Sequence, residues 1–172
     1  MEQDQDAEAI DYARQDLTAA VEIALRRDGH LLTAGELRVT ERFLALPPEA
    51  ASLYARLHSR RPSLFRLEQL DYAEVGDIPR AATVLCEAGL AHDENILPAT
   101  MLLSLRTVAE LKVLCREHGR RRSGKRAALL ERLTTPPLPR EAVNTPALLL
   151  RHRRLFRRLC RLYLHDHSGD LS

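Results

Sequence analysis

The sequence predicts a mostly α-helical protein with at most a few short strands between Ser63 and Leu97. Three observations carry that expectation. Apolar residues recur at helical spacing along most of the chain, and proline or glycine stands at nearly every proposed helix end. Ala and Leu, both favourable in helices, dominate a hydrophobic fraction of 45%, in which aromatics are only 4% and Trp is absent.

The elements follow in order. Met1 to Ala7 is acidic and expected to fray. From Glu8 to Arg27, Ile10, Leu17, Val21, Ala24 and Leu25 keep helical spacing, and Gly29 follows as a stop. Thr33, with Glu36 three residues on, is a capping box opening a helix through Leu46, which Pro47 ends. Pro48 suits the first turn of the next helix, which runs to about Arg60 with Leu53, Tyr54 and Leu57 inward. Pro62 breaks it. The stretch "SLFRLEQLDYAEVGDI" (63–78) has no sustained period and reads as a short strand or turn, then a short helix. Asp77 and Pro79 start a helix through Ala88, and Gly89 stops it. "LAHDENIL" (90–97) reads as a small hairpin or wing. Ser104 or Thr107 opens a helix through His118, closed by Gly119. Ser123 is expected to cap a helix to Leu133. "TTPPLPREAVNTP" (134–146) reads as a linker by its four prolines, and a last helix runs from about Ala147 to Leu164.

Charge is distributed unevenly. Formal net charge is +2, yet residues 1–100 hold 10 Lys+Arg against 18 Asp+Glu, and residues 101–172 hold 16 against 6. The balance shifts from −8 to +10, an acidic scaffold followed by an anion-seeking third. Of the 26 basic residues 24 are Arg and two are Lys, so bidentate phosphate contacts are chemically available along the chain. Cys86, Cys115 and Cys160 have no CxxC spacing and read as buried reduced thiols, which suits the cytoplasm. No apolar run approaches the roughly 20 residues of a membrane span, and no signal peptide opens the chain.

The densest charge lies in "HGRRRSGKRAALLERL" (118–133), at the start of a helix. Basic residues there cost about 0.3–1 kcal/mol each against the helix dipole. Two catalytic motifs suggest themselves and fail. Gly119-x-x-x-x-Gly124-Lys125 lacks the Ser or Thr that a phosphate-binding P-loop needs, since Arg126 follows, and the segment before it is helical rather than a strand. Glu110-Leu111-Lys112 has nuclease-like Glu-x-Lys spacing but lies mid-helix, where its two ends point apart. "HDH" (165–167) has metal-ligand residue types, but at a chain end it reads as a polar tail.

The run "LRTVAELKVLCREHGRRRSGKRAALLERL" resembles the SAP motif, a small helix–loop–helix DNA-binding module. It supplies Leu105, Glu110-Leu111-Lys112, Gly119, Ser123-Gly124-Lys125, Leu129 and Arg132-Leu133, and departs at Arg120, where the pattern prefers an apolar residue. Helix N-terminal amides favour an anion, so added basic charge suits a helix that meets a phosphodiester backbone. Upstream, Leu46-Pro47, Leu53-Tyr54-x-Arg56-Leu57, Arg60-Arg61, Phe65-Arg66 and Leu70-x-Tyr72-x-Glu74-Val75 resemble the segment before the SAP motif in the Fanconi-associated nucleases. The resemblance covers roughly residues 10 to 165. It implies a winged-helix-like region over 1–100, a SAP motif over 101–135, a Pro-rich linker over 136–146 and the start of a helical-repeat region over 147–172. The family's VRR-type nuclease domain is not within these residues.

The implied function is the DNA-binding region of a structure-specific repair nuclease of the 5′-flap and crosslink-repair type. No catalytic residue or cofactor is expected in this chain; Mg or Mn belongs to a nuclease domain supplied elsewhere. The implied partner is duplex or branched DNA, with no membrane. The DNA-binding candidates are Arg56, Arg60, Arg61, Arg66, Lys112, Arg120, Arg121, Arg122, Ser123, Gly124, Lys125 and Arg126. Tyr54, Phe65 and Tyr72 are expected in the core, and the arginines from Arg151 to Arg161 in the scaffold. The rival reading is a helical interaction protein whose basic third binds an acidic partner protein.

Overall fold

A computed structural model describes residues 11–167, with side chains to Tyr163; the acidic stretch 1–7 and the "HDH" side chains lie outside. Helix α1 (Tyr12–Asp28) is capped by Asp11, whose carboxylate accepts from the Arg14 amide at 3.1 Å. Gly29 does not reverse the chain there; it keeps right-handed helical geometry and leads into a 3-10 turn, Gly29–Leu31. Helix α2 (Ala34–Leu44) opens on the expected capping box: the Glu36 amide donates to Thr33 Oγ1 at 3.2 Å, and the Thr33 amide to Glu36 Oε2 at 2.9 Å. Helix α3 (Pro48–Ser59) has Pro48 in its first turn. It buries Leu53, Tyr54 and Leu57 completely.

A strand, β1 (Leu64–Arg66), follows, then the 3-10 turn Leu67–Gln69 and helix α4 (Ile78–Glu87), capped by Asp77. Gly89 ends α4 at φ +70°, and Gly119 ends a later helix at φ +63°. In both, the following residue's amide reaches back to the helix (Leu90 to the Leu85 carbonyl at 2.9 Å; Arg120 to that of Cys115 at 2.6 Å). A left-handed residue placed this way closes the helix with its last carbonyls satisfied.

Strand β2 (Ala91–Asp93) makes no local hairpin. Its partner is β3 (Ala147–Leu150), which also pairs with β1, so the antiparallel order is β1-β3-β2, with Phe65 opposite Leu148 and His92 opposite Leu149. The stretch expected to begin the final helix is therefore the sheet's middle strand. An apolar run as short as "ALLL" suits either state locally, and the open edges of β1 and β2 decide it. Helix α9 (Arg153–His167) then packs along α1. The segment expected to begin a region of its own thus completes the N-terminal one.

The main core gathers residues from α1 to α4, β2, β3 and α9. At its centre Phe43, Tyr54 and Phe156 meet with ring centroids 5.0–5.5 Å apart, and Tyr54 Oη donates to the Arg151 carbonyl at 2.7 Å. Between β2 and β3, where a winged helix has its wing, four helices are inserted: α5 (Ala99–Ser104), α6 (Val108–Glu117), α7 (Arg126–Thr134) and α8 (Arg140–Val143). Their core is separate, built on Leu103, Leu111, Leu114, Cys115, Leu129 and Leu133. Leu138 and Val143 from the supposed linker complete it. The Pro-rich stretch is ordered because the apolar residues among its prolines reach that core. Cys115 is buried as expected, whereas Cys86 and Cys160 are only partly covered.

Candidate nucleic-acid interface

The basic loop joins two helices whose ends are fixed by different means. Thr107 and Glu110 form a capping box at α6, which places Ser104 in α5 instead. Helix α7 has Lys125 as its N-cap and no side-chain cap. Ser123, the expected cap, instead accepts from Arg121 Nε at 2.6 Å. Gly124, at φ +119°, lets the chain turn into α7. The first amides of α7 therefore lack an internal acceptor, as any helix start does without a capping side chain.

The arginines of this loop divide into two sets. Arg120 sends one arm to the Pro136 carbonyl at 2.9 Å and the other to that of Arg132, closing the C-terminal end of α7. Its departure from the apolar preference is thus a structural clasp. Arg126 points back to the carbonyls of Ser104, at 2.6 Å, and Arg106, closing the end of α5. Both were expected at the DNA, and both are committed to backbone. Arg132, absent from the expected site, holds the loop from within, donating to the Arg121 and Ser123 carbonyls at 3.0 and 2.6 Å.

The second set faces outward. Lys112, Arg116, Arg121, Arg122 and Ser123, with the half-exposed Val113, line a shallow open cleft of about 500 Å³. Among the described residues, Lys112, Arg116, Arg122 and Lys125 enter no ion pair or side-chain hydrogen bond. Arg116 was not among the expected residues. Its position four after Lys112, one helical turn on, was the available signal.

The upstream arginines also separate. Arg66 is 8% exposed and bound on both sides: one arm reaches both Glu110 oxygens at 2.9 Å, the other Glu68. It ties β1 to α6 and is not available to a phosphate. Glu110 accepts the Thr107 amide and then Arg66, which together hold its carboxyl down at about 2. Arg56 pairs with Glu74 and lies over the Tyr72 ring. Arg60 donates to Tyr72 Oη at 3.2 Å and lies over Phe65. Arg61 is exposed, with no ion pair among the described residues.

Helix α4 occupies the place of a winged-helix recognition helix, yet its surroundings are acidic. Glu68, Asp71, Glu87, Asp93 and Glu94 edge an open groove beside it. Burial and the nearby carboxylates push the Cys86 thiol up to about 11. Such a field repels a phosphate backbone. The described residues hold no group of three metal-ligating side chains and no helix long and apolar enough to cross a membrane.

A helix-turn-helix unit that carries a helix–loop–helix with outward-facing basic side chains belongs to the class of nucleic-acid-binding modules. Comparison with known families matches residues 12–92 to the helix-turn-helix domain of FAN1 and residues 102–135 to the SAP domain. The Fanconi-associated nuclease 1 homolog of Pseudomonas aeruginosa is 35% identical over 107 residues, 62% of this chain and 19% of that protein. The Schizosaccharomyces pombe homolog is 30% identical over 89 residues, 51% of this chain and 13% of its own. A crystal structure of paFAN1 bound to a 2-nucleotide 5′-flap DNA with a gap superposes with a TM-score of 0.73 at 32% identity, covering 88% of this chain and 29% of that one. A second, with a 1-nucleotide flap, gives 0.73 at 26% identity over 92% and 33%. The chain carries the helix-turn-helix and SAP domains of the Fanconi-associated nuclease family. It spans about a third or less of the length of the proteins it matches, and neither matched domain is a nuclease domain.

Proposed function

We propose that this chain is the DNA-binding region of a structure-specific repair nuclease acting on 5′-flap or crosslink-repair intermediates, in the cytoplasm or on the nucleoid. Its VRR-type catalytic domain and that domain's Mg or Mn would lie outside these residues. The observation that carries the reading is the basic cleft between α6 and the loop that leads into the uncapped α7, where Lys112, Arg116 and Arg122 enter no ion pair among the described residues. Lys112, Arg116, Arg121 and Arg122 line the cleft, and Lys125 follows at the N-cap of α7, where helix amides favour an anion; the groove beside α4 is acidic and repels one. The similarity to paFAN1 solved on 5′-flap DNA supports duplex or branched DNA as the ligand. Phosphate contacts carry no base information, so binding is indifferent to sequence.

Fluorescence anisotropy across a salt series tests this. About four neutralised phosphates make log affinity fall with log salt at a slope of roughly −3 to −4 from this cleft. Arg122→Gln with Lys125→Gln makes the slope shallower by about two units for every sequence alike. An unchanged slope in a folded variant refutes the phosphate-cleft reading.

A further inference from the structure

We infer that the outer face of α9 is a second phosphate-binding surface, separate from the SAP loop, that grips about three successive phosphates of one DNA strand. The inference rests on DNA being the ligand and concerns a different element of the fold. Helix α9 turns Leu155, Phe156 and Leu159 into the core and leaves Arg154, Arg157, Arg158 and Arg161 exposed. At 3.6 residues per turn these four fall within a sector of roughly 100°, one stripe along the helix. Arg158 is paired, with Glu36 at 2.7 Å. Among the described residues Arg154, Arg157 and Arg161 enter no ion pair. Their neighbour Arg153 does something else, turning inward to carbonyls at the end of α3.

The stripe is costly for a helix alone. Like charges three and four residues apart each destabilise it by about 0.2–0.5 kcal/mol, and α9 has no acidic residue in its first turn. A polyanion removes that repulsion. Arg154 and Arg161 are seven residues apart, about 10 Å along the axis. DNA presents a phosphate about every 3.4 Å of axis per strand, so the stripe spans about three. Beside Arg154 an open cleft of about 480 Å³, lined also by Arg38 and Arg42 and by Glu36, the partner of Arg158, widens the cationic area. Guanidinium is also the cation whose planar fork fits phosphate oxygens in pairs.

The test is R154Q/R157Q/R161Q, with R154K/R157K/R161K beside it, binding a 5′-flap DNA with long duplex arms across a salt series. The glutamine variant is expected to lose two to three units of slope, so its affinity deficit shrinks by about 40-fold between about 50 and 200 mM salt. The lysine variant keeps the charge and is expected to keep the slope. An unchanged slope in the glutamine variant, or an equal loss in the lysine variant, overturns the proposal. Should the glutamine variant melt below the assay temperature, Arg161→Gln alone is measured: a loss of about one unit supports the surface, and none overturns it. The SAP-loop variant fails or succeeds independently, so the two readings are separable.

Discussion

Replacing Arg153 tests whether an arginine in a basic run can be structural rather than DNA-facing. This residue is 9% exposed. One arm donates to the Pro62 carbonyl at 2.5 Å and that of Arg61 at 3.2 Å; the other reaches His58 at 2.9 Å and Arg60. All four acceptors lie at the C-terminal end of α3 and the turn after it, where helix carbonyls lack partners. Arg153→Met keeps the bulk of the stem and removes the fork. Charge-assisted bonds contribute roughly 1.5–3 kcal/mol net, and a buried carbonyl left without a donor costs about 1–3. Two acceptors stranded and the rest rehydrated bring the loss to about 3 kcal/mol. At a urea dependence of about 2 kcal/mol per M the midpoint falls by about 1.5 M. The same change moves a second observable. The His58 imidazole is pushed down to about 4, first by burial and then by the charges of Arg153 and Arg157, so its NMR titration midpoint rises in the variant. Arg157→Met, on the exposed side, should shift the urea midpoint by less than about 0.25 M, since surface changes stay within about 0.5 kcal/mol. A midpoint unchanged by Arg153→Met, or a His58 titration that does not move, refutes the clasp.

Three further outcomes follow from the same geometry. His58 prefers to be neutral in the folded protein, so stability falls as pH drops from about 6.5, where the unfolded imidazole protonates, towards about 4; the loss reaches roughly 3 kcal/mol, and His58→Gln abolishes this acid dependence in urea titrations. Glu110 is depressed, so its contribution is complete above about pH 4.5 and disappears as pH falls towards about 2; an acid-unfolding curve for Glu110→Gln should lack that component. Arg120→Met and Arg122→Met, two residues apart, should separate cleanly: the first lowers the melting temperature by removing the clasp on α7, and the second leaves melting unchanged but weakens DNA binding and its salt slope by about one unit.

Arginine chemistry explains why the candidate site was only partly legible. A strong excess of Arg over Lys signals fork-shaped recognition, but backbone carbonyls at helix ends accept the same fork as phosphates do. Arg120, Arg126, Arg132 and Arg153 take the first kind of acceptor and Arg66 a carboxylate pair, which leaves Arg116, Arg121 and Arg122 on the open cleft beside Lys112. Charge alone does not distinguish Arg120 from Arg122 in "GRRRSGKR"; the apolar preference of the SAP pattern at Arg120 was the one mark that set it apart. What separates them is that α7 ends beside one of them.

What the sequence determined by itself is what acts within a turn or two of helix. Thr33 with Glu36 and Thr107 with Glu110 cap their helices as read. Pro48 opens α3, and Gly89 and Glu117-His118-Gly119 end α4 and α6, because each signal acts on hydrogen bonds to residues three to five positions away. The tertiary structure alone decided the rest. "ALLL" became a strand because β1 and β2 offered it two open edges. The Pro-rich segment became ordered because Leu138 and Val143 found the core of the inserted helices. Arg66 was buried by Glu110, 44 positions along the chain. Helix capping is settled by near neighbours in sequence, whereas strand pairing, burial and the choice of acceptor for a long charged side chain depend on which distant segments folding brings alongside.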